Sequence, residues 1–163
     1  MIFPAQYPLI ADAILETVAN TCLQLDIPYF LSYGTCLGLY RDGAYIPTDN
    51  DLDFSMVYSQ EGFDGLAKHI QDFGFLPDIG NEWEGVHFWK YGILADFHWV
   101  YAESYYAQHE QITYRGYKYH VPSPVEGYLA WLYGEDWRTP KEGFQQLRLG
   151  KDLQVKYGRD SIC

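Results

Sequence analysis

The sequence predicts an α+β fold in which a mixed or antiparallel sheet is flanked by helices. Some segments repeat apolar residues at helical spacing, and others alternate apolar and polar residues as strands do. The chain has 163 residues, of which 48% are hydrophobic and 20% charged, a balance typical of globular proteins. We therefore predict a single domain over residues 1–163, with a helical C-terminal tail over 141–163.

Four segments before this tail are predicted to be helices. They cover residues 9–25, 34–43, 61–74 and 126–134. In the first helix, one apolar stripe is expected to contain Ile10, Ile14, Val18 and Leu23. Gly43 and Gly74 are expected to end the second and third helices, because glycine readily adopts the left-handed conformation that often follows a helix.

Strands are predicted in the segments between these helices. They cover residues 27–33, 51–58, 73–80, 84–103 and 111–123. The last two segments are long enough to be hairpins. Tyr91-Gly92 and Arg115-Gly116 are the expected turns, because glycine commonly interrupts strands at such positions.

Three carboxylates stand together where the second strand begins. The stretch TDNDLDFSM places Asp49, Asp51 and Asp53 at alternating positions. Side chains alternate faces along a strand, so Asp51 and Asp53 should point to the same side, ~6.6 Å apart, while the intervening apolar residues enter the core. Clustered buried charges are costly unless a cation neutralises them, and carboxylate oxygens suit Mg²⁺ or Mn²⁺. We therefore predict a divalent metal site here.

The same acidic stretch does not fit a calcium-binding EF-hand loop. With Asp49 as the first position, Phe54 stands where the loop requires glycine and Gln60 where it requires glutamate. The remaining structural alternative is a solvated turn with unrelated acidic residues, and the apolar residues that alternate with the carboxylates argue against it.

A candidate phosphate-binding segment, SYGTCLGLYRDG, precedes the acidic strand. A helix that starts near Gly34 presents backbone N–H groups to an anion, and glycine allows a phosphate to approach closely. The hydroxyl of Thr35 can donate to the same phosphate, and Arg41 can bind a second phosphate oxygen. An ordinary helix cap is the alternative interpretation. We also place Asp49 among the substrate-binding residues.

A third acid is expected from a later strand. Asp96 lies within the apolar stretch GILADFHWVY, where an ionisable group often marks a functional site, although a neighbouring donor could also account for it. His98 shares its face and is a weaker candidate. Aromatic residues near the cleft could stack on a base or enclose a cation, with core packing as the alternative. They are Tyr33, Tyr40, Trp89 and Trp99.

Charge and composition exclude several classes of partner. The net charge of −11 disfavours non-specific binding to nucleic acid or to anionic membranes. No run approaches 18 apolar residues, so no membrane span is predicted. The three cysteines form no metal-binding spacing, and the N-terminus lacks a basic segment. These features lead us to expect a cytoplasmic location.

Two stretches resemble the LicD/fukutin-type family. YFLSYGTCLGLYRDGAYIPTDNDLDFSM is similar to the segment in which that family carries a Gly-Thr-Leu-Leu-Gly-like motif, an arginine, Ile-Pro and an Asp-x-Asp strand. YHVPSPVEGYLAWLYGEDWRTP resembles the family's C-terminal element. Together with the third acid, the similarity extends over roughly residues 28–140. The chain departs from the family in carrying Asn50 and in having only about two dozen residues between Asp96 and VPSP.

The resemblance implies a nucleotidyltransferase-like fold and a metal-dependent transferase. Such enzymes move a phosphorylated alcohol, such as phosphocholine or ribitol phosphate, from a CDP-activated donor onto a glycan. By position, Asp51, Asp53 and Asp96 would be the catalytic and metal-binding residues. Gly34, Thr35 and Arg41 would contact the donor phosphates.

Two other functions remain open at this point. The same acids would serve nucleotidyl transfer from an NTP to a small molecule. A non-catalytic domain that binds nucleotide or metal is the third possibility, although such a domain would not need all three acids and Arg41.

Overall fold

A computed structural model of the chain describes residues 7–77 and 86–141, which contain four α-helices. These are α1 (Tyr7–Gln24), α2 (Tyr33–Arg41), α3 (Gln60–Asp72) and α4 (Val125–Tyr133). A single 3-10 turn spans Ser104–Tyr106. All four predicted helices are present, with ends shifted by at most two residues. The predicted helical tail over 141–163 lies almost entirely outside the described residues and stays a prediction.

Among the described residues, the main sheet has five strands and is mixed. Its strands are β1 (Tyr29–Leu31), β2 (Asp51–Val57), β3 (Leu76–Pro77), β4 (Val86–Lys90) and β5 (Ile93–Val100), in the order β1-β2-β5-β4-β3. The central pair β2–β5 is parallel, and the other pairs are antiparallel. A separate hairpin is formed by β6 (His109–Tyr114) and β7 (Tyr117–Pro122). The predicted α+β class with a mixed sheet is confirmed.

The two central strands supply the middle of the core. Leu52, Phe54 and Met56 of β2 are fully buried, as their alternation with the aspartates predicts. The rings of Phe54 and Phe97 stack across the β2–β5 pair with their centroids 5.4 Å apart. Because side chains alternate along a strand, the polar residues of β2, including Asp53, lie on its opposite face.

The buried stripe of α1 differs from the predicted one at its C-terminal end. Leu23 is 59% exposed, whereas Cys22 is fully buried. The buried stripe contains Ala11, Leu15, Val18 and Cys22. Successive residues of a helix are rotated by ~100°, so Leu23, directly after Cys22, points away from the core. The prediction for Leu23 was therefore wrong, while Ile14 and Val18 are buried as expected.

Several predicted strands are shorter than expected: the first, predicted over 27–33, covers Tyr29–Leu31, because α2 begins at Tyr33. In place of a strand over 73–80, only Leu76 and Pro77 pair with β4, and both are exposed at the sheet edge. Phe73 and Gly74 instead close the end of α3, and residues 78–80 lie outside the described residues. The strand predicted to run to Glu103 ends at Val100.

Both predicted hairpin turns are confirmed. Tyr91 and Gly92 have φ values of 53° and 81°, and Arg115 and Gly116 have φ values of 47° and 85°. Positive φ at both central residues is the feature that lets a two-residue turn match the twist of the strands it joins. Within the described part of the chain, no helix combines the length and apolarity that a bilayer crossing requires.

Candidate functional site

Asp53 is the centre of the acidic group. Its Oδ2 accepts a hydrogen bond from the backbone N–H of Gly34 at 3.1 Å, and its own N–H donates to Oγ1 of Thr35 at 2.9 Å. Gly34 and Thr35 belong to the first turn of α2, which packs on β2. The start of this helix therefore fixes both the backbone and the carboxylate of Asp53.

The parallel pairing of β2 with β5 brings the third acid to the same place. Asp53 lies directly opposite Asp96, and His98 follows two residues later on the same face. Nε2 of His98 is 3.4 Å from Oδ1 of Asp53. One potential ligand atom from each of these three residues lies within 4.8 Å of the others.

A second group of potential ligands shares Asp53 with the first. The carboxylates of Asp49, Asp51 and Asp53 also offer oxygens within 4.8 Å of one another. Asp49 precedes β2, and its carboxylate lies against Gly34: a Cβ at that position would be 2.1 Å from Oδ2 of Asp49. Glycine is therefore required at position 34 for this arrangement of Asp49.

Burial and mutual repulsion make these carboxylates poor anions without a counter-charge. Desolvation raises the pKa of Asp49 to about 8, helped by the hydrogen bond and charge of Asp51 and the charge of Asp53. Desolvation also raises the pKa of Asp53, although His98 opposes the shift. These carboxylates are buried and repel one another, so the site fits a divalent cation, which would neutralise their negative charge.

His87 is a site residue that the sequence reasoning missed. Its Nδ1 lies 2.6 Å from Oδ1 of Asp96, and both side chains are largely buried. The two residues are direct cross-strand partners on β4 and β5. The predicted turn at Tyr91-Gly92 sets the register of the hairpin. Counting residues outward from this turn pairs position 87 with position 96, so the contact between His87 and Asp96 could have been predicted from the sequence.

Gly34 and Thr35 lie beside the acids, as predicted, but their polar groups are directed at Asp53 in this structure. The Gly34 N–H and the Thr35 oxygen both bond to Asp53, and the neighbouring N–H of Tyr33 donates to the hydroxyl of Tyr128 at 3.1 Å. The first turn of α2 thus orients the acidic group. A direct contact of these residues with phosphate stays a prediction.

Arg41 lines a cleft next to the acidic group. Its guanidinium donates two hydrogen bonds to Asp42, at 2.9 and 2.7 Å, and one to the carbonyl oxygen of Trp137 at 3.3 Å. The cleft has a volume of about 630 Å³ and is also lined by Asp49 and Lys141. This volume suits a small ligand such as a nucleotide derivative.

The four aromatic candidates have different surroundings. Trp99 is 2% exposed and packs against Tyr58 in the core, so core packing explains it. Tyr33 lies against the ring of His98, with a centroid distance of 4.7 Å. Tyr40 is beside Trp137 near the cleft, and Trp89 is 40% exposed on β4.

A buried chain of hydroxyl groups lies beneath the site. Ser55, on the same face of β2 as Asp53, donates to Oγ of Ser32 at 2.9 Å and lies 3.3 Å from the hydroxyl of Tyr106. Tyr106 in turn donates to the hydroxyl of Tyr128 at 3.4 Å. These four residues, Ser32, Ser55, Tyr106 and Tyr128, are referred to below as the hydroxyl floor.

Known proteins resemble this chain in sequence. Residues 26–91 match the LicD/FKTN/FKRP nucleotidyltransferase domain. Ribitol-5-phosphate transferase FKTN from Homo sapiens is 25% identical over 88% of this chain and 36% of its own length. The Mus musculus protein of the same name is 26% identical over 80% of this chain and 33% of its own length. The chain thus spans about a third of the length of these relatives.

Solved structures resemble it in fold. The antibiotic-resistance factor ANT(2'')-Ia gives a TM-score of 0.57 at 12% identity, covering 71% of this chain and 66% of that protein. The lincosamide antibiotic adenylyltransferase LnuA gives 0.53 at 11% identity, covering 69% and 80%. Fold and site together define a protein of the nucleotidyltransferase fold. Within that fold, the LicD/FKTN/FKRP domain match and the FKTN relatives support the predicted resemblance to the LicD/fukutin-type family.

Proposed function

We propose that this protein is a metal-dependent transferase. It moves a phosphorylated alcohol, of the phosphocholine or ribitol phosphate kind, from a CDP-activated donor onto the hydroxyl of a glycan or similar acceptor. The observation that carries the proposal is the convergence of Asp49, Asp51, Asp53 and Asp96 beside the cleft that contains Arg41. The relatives named as ribitol-5-phosphate transferases support the phosphorus-group chemistry.

Asp51, Asp53 and Asp96 are the residues proposed to hold Mg²⁺ or Mn²⁺. A bound ion of this kind neutralises charge on phosphate oxygens as the bond to the leaving nucleotide breaks. Gly34 and Thr35 contribute by holding Asp53 in one orientation before substrate arrives. His87 does the same for Asp96. Positioned charges of this type account for most of the catalysis in phosphoryl transfer.

Arg41 is proposed to bind the donor phosphates from the wall of the cleft. Its guanidinium is held by Asp42 and by the Trp137 carbonyl, so one face of the group is already oriented. A guanidinium binds phosphate through paired N–H groups, which fixes the direction of the phosphate as well as its position. Asp49 belongs both to this cleft and to the acidic group, and it is proposed to contact the substrate.

The test is a thermal-shift panel with the full chain. CDP-choline, CDP-ribitol, CDP, CTP, ATP and UTP are each added with and without Mn²⁺, because a ligand that binds the native state raises its melting temperature. The proposal predicts a Mn²⁺-dependent rise that is larger for a CDP-alcohol than for CTP. The hit is then incubated with candidate acceptors, and release of CMP confirms transfer.

A second candidate function is nucleotidyl transfer from an NTP, which the same fold serves in the adenylyltransferase LnuA. A rise with NTPs alone, followed by release of pyrophosphate, would establish it in place of the first. A folded protein that responds to none of these ligands would favour the non-catalytic alternative.

The location proposed for this reaction is the cytoplasm. Cys22 and Cys36 are buried as free thiols, and burial raises the pKa of the Cys22 thiol to about 12. Buried thiols of this kind are compatible with a reducing compartment. The net charge of −11 supports a small-molecule donor over nucleic acid as the partner.

A further inference from the structure

We propose that His98 is a nitrogen ligand of the divalent ion. Asp53, Asp96 and His98 would then form a mixed oxygen–nitrogen metal site, chemically different from the all-oxygen group of Asp49, Asp51 and Asp53. This inference deepens the proposed function, since it rests on the binding of a divalent ion at this face of the sheet.

Strand register places the three side chains around one point. Asp53 is the direct partner of Asp96 in the parallel β2–β5 pair, and His98 is the next residue of β5 on the same face. One ligand atom from each lies within 4.8 Å of the other two. Two atoms bound to one ion at ~2.1 Å are ~3.0–3.4 Å apart in octahedral or tetrahedral geometry, so a small closure suffices.

The two histidines of the site make different contacts with their carboxylates. Nδ1 of His87 lies 2.6 Å from Asp96, which is a short, charge-assisted hydrogen bond. Nε2 of His98 lies 3.4 Å from Asp53, which is long for such a bond but matches the spacing of two ligands on one ion. His87 therefore orients Asp96, whereas His98 is placed to share an ion with Asp53.

The ring of His98 is held in this orientation. It packs against Tyr33 at a centroid distance of 4.7 Å, and the backbone N–H of Tyr33 is bonded to Tyr128 of the hydroxyl floor. The His98 side chain is 17% exposed. A ligand whose ring is fixed before the ion arrives loses little freedom on binding.

A nitrogen ligand changes which ions the site prefers. Imidazole suits borderline ions such as Co²⁺, Ni²⁺ and Zn²⁺, whereas carboxylates alone suit Mg²⁺. The Asp53–Asp96–His98 site is therefore expected to bind Co²⁺ more tightly than Mg²⁺. The group that contains Asp49 and Asp51 is expected to favour Mg²⁺.

The test is pulsed EPR on the Mn²⁺-loaded full chain. Electron spin echo envelope modulation detects a directly bound imidazole nitrogen through its coupling to Mn²⁺. We expect the coupling in the wild type and in the matched control His69→Gln, since His69 lies on α3 and bonds to the Gly65 carbonyl. We expect it to disappear in His98→Gln, with Co²⁺ affinity reduced roughly tenfold or more.

The possible outcomes separate this inference from the proposed function. Wild-type protein that binds Mn²⁺ without nitrogen coupling would overturn the role of His98 and leave the proposed function standing. Coupling that persists in His98→Gln would assign the nitrogen to another residue and also overturn it. A folded wild-type chain that binds no Mn²⁺ would overturn both. If His98→Gln fails to fold, the same comparison is made with His98→Asn, in which the coupling should also disappear.

Discussion

Gly34 and Asp53 are joined by a hydrogen bond from the N–H at the start of α2 to the carboxylate on β2, 3.1 Å long. The next residue, Thr35, accepts the N–H of Asp53 in return. The bond to Thr35 fixes the backbone of Asp53, and the bond from Gly34 holds its carboxylate. Together they leave the carboxylate little freedom to rotate. The acid is oriented by the fold, so ion binding need not organise it.

Replacing Asp53 with asparagine is expected to lower metal-dependent turnover by about 100-fold or more, because the shared ligand of both groups loses its charge. The asparagine oxygen can still accept from Gly34, so the fold should persist. Turnover at saturating donor and circular dichroism are the measurements. Asp64→Asn is the matched control, since Asp64 is an exposed residue of α3 whose carboxylate accepts a hydrogen bond from Gln60 on the same helix. Undiminished turnover in Asp53→Asn would remove Asp53 from the site.

Replacing Gly34 with alanine is expected to weaken metal binding about tenfold while changing the melting temperature little. The new Cβ would meet Oδ2 of Asp49 at 2.1 Å, and that carboxylate must move. The contrasting variant is Gly65→Ala, where the nearest atom is 3.5 Å away on Leu25. Because Gly65 is inside α3, alanine there should stabilise the protein by ~0.5–1 kcal/mol. Calorimetric titration with Mn²⁺ and thermal denaturation distinguish the two effects.

Replacing Arg41 with lysine is expected to raise the KM for the donor about tenfold, because an ammonium cannot bind phosphate through paired N–H groups. The value of kcat should change less, since the metal ligands are untouched. Arg115→Lys is the matched control: Arg115 pairs with Asp12 on the exposed side of the β6–β7 hairpin. An unchanged donor KM in Arg41→Lys would place the donor phosphates elsewhere.

The metal-free protein is expected to lose stability as the pH rises from about 4 to 8. Burial and neighbouring charges raise the pKa of Asp49 from 3.8 to about 8 and also raise that of Asp53. In this window the folded state binds more protons than the unfolded state, so the free energy of unfolding falls with increasing pH. Urea denaturation at several pH values measures the slope. Saturating Mn²⁺ should flatten it, and a slope unaffected by Mn²⁺ would argue against an ion on these carboxylates.

Local sequence patterns were enough to predict the acidic strand and its orientation. Strand alternation alone places Asp51 and Asp53 on one face and buries Leu52 and Phe54 on the other. Asp96 was identified as a candidate by its apolar neighbours. Its exact partner depends on the parallel β2–β5 pairing, which no local pattern encodes.

Features that depend on docking between distant elements were not predictable in this way. The hydrogen bond from the Asp53 N–H to the hydroxyl oxygen of Thr35 depends on how α2 packs on β2, while the predicted donation from Thr35 to a phosphate stays a prediction. The pairing of Arg41 with Trp137 joins positions 96 residues apart. His87 is the exception, because the turn at Tyr91-Gly92 sets its register and the pairing could have been counted.

The hydroxyl floor also determines where substrate specificity can vary. Its buried bonds tie Ser55 to Ser32 and Tyr106, so a larger or smaller side chain there would disturb the strand that carries Asp53. The cleft that contains Arg41 is lined in part by loop residues outside this network and outside the acidic group, 46–48 and 139–141. For the proposed transferase, those loops are therefore the positions at which substitutions should change the preferred donor while leaving the acidic group in place.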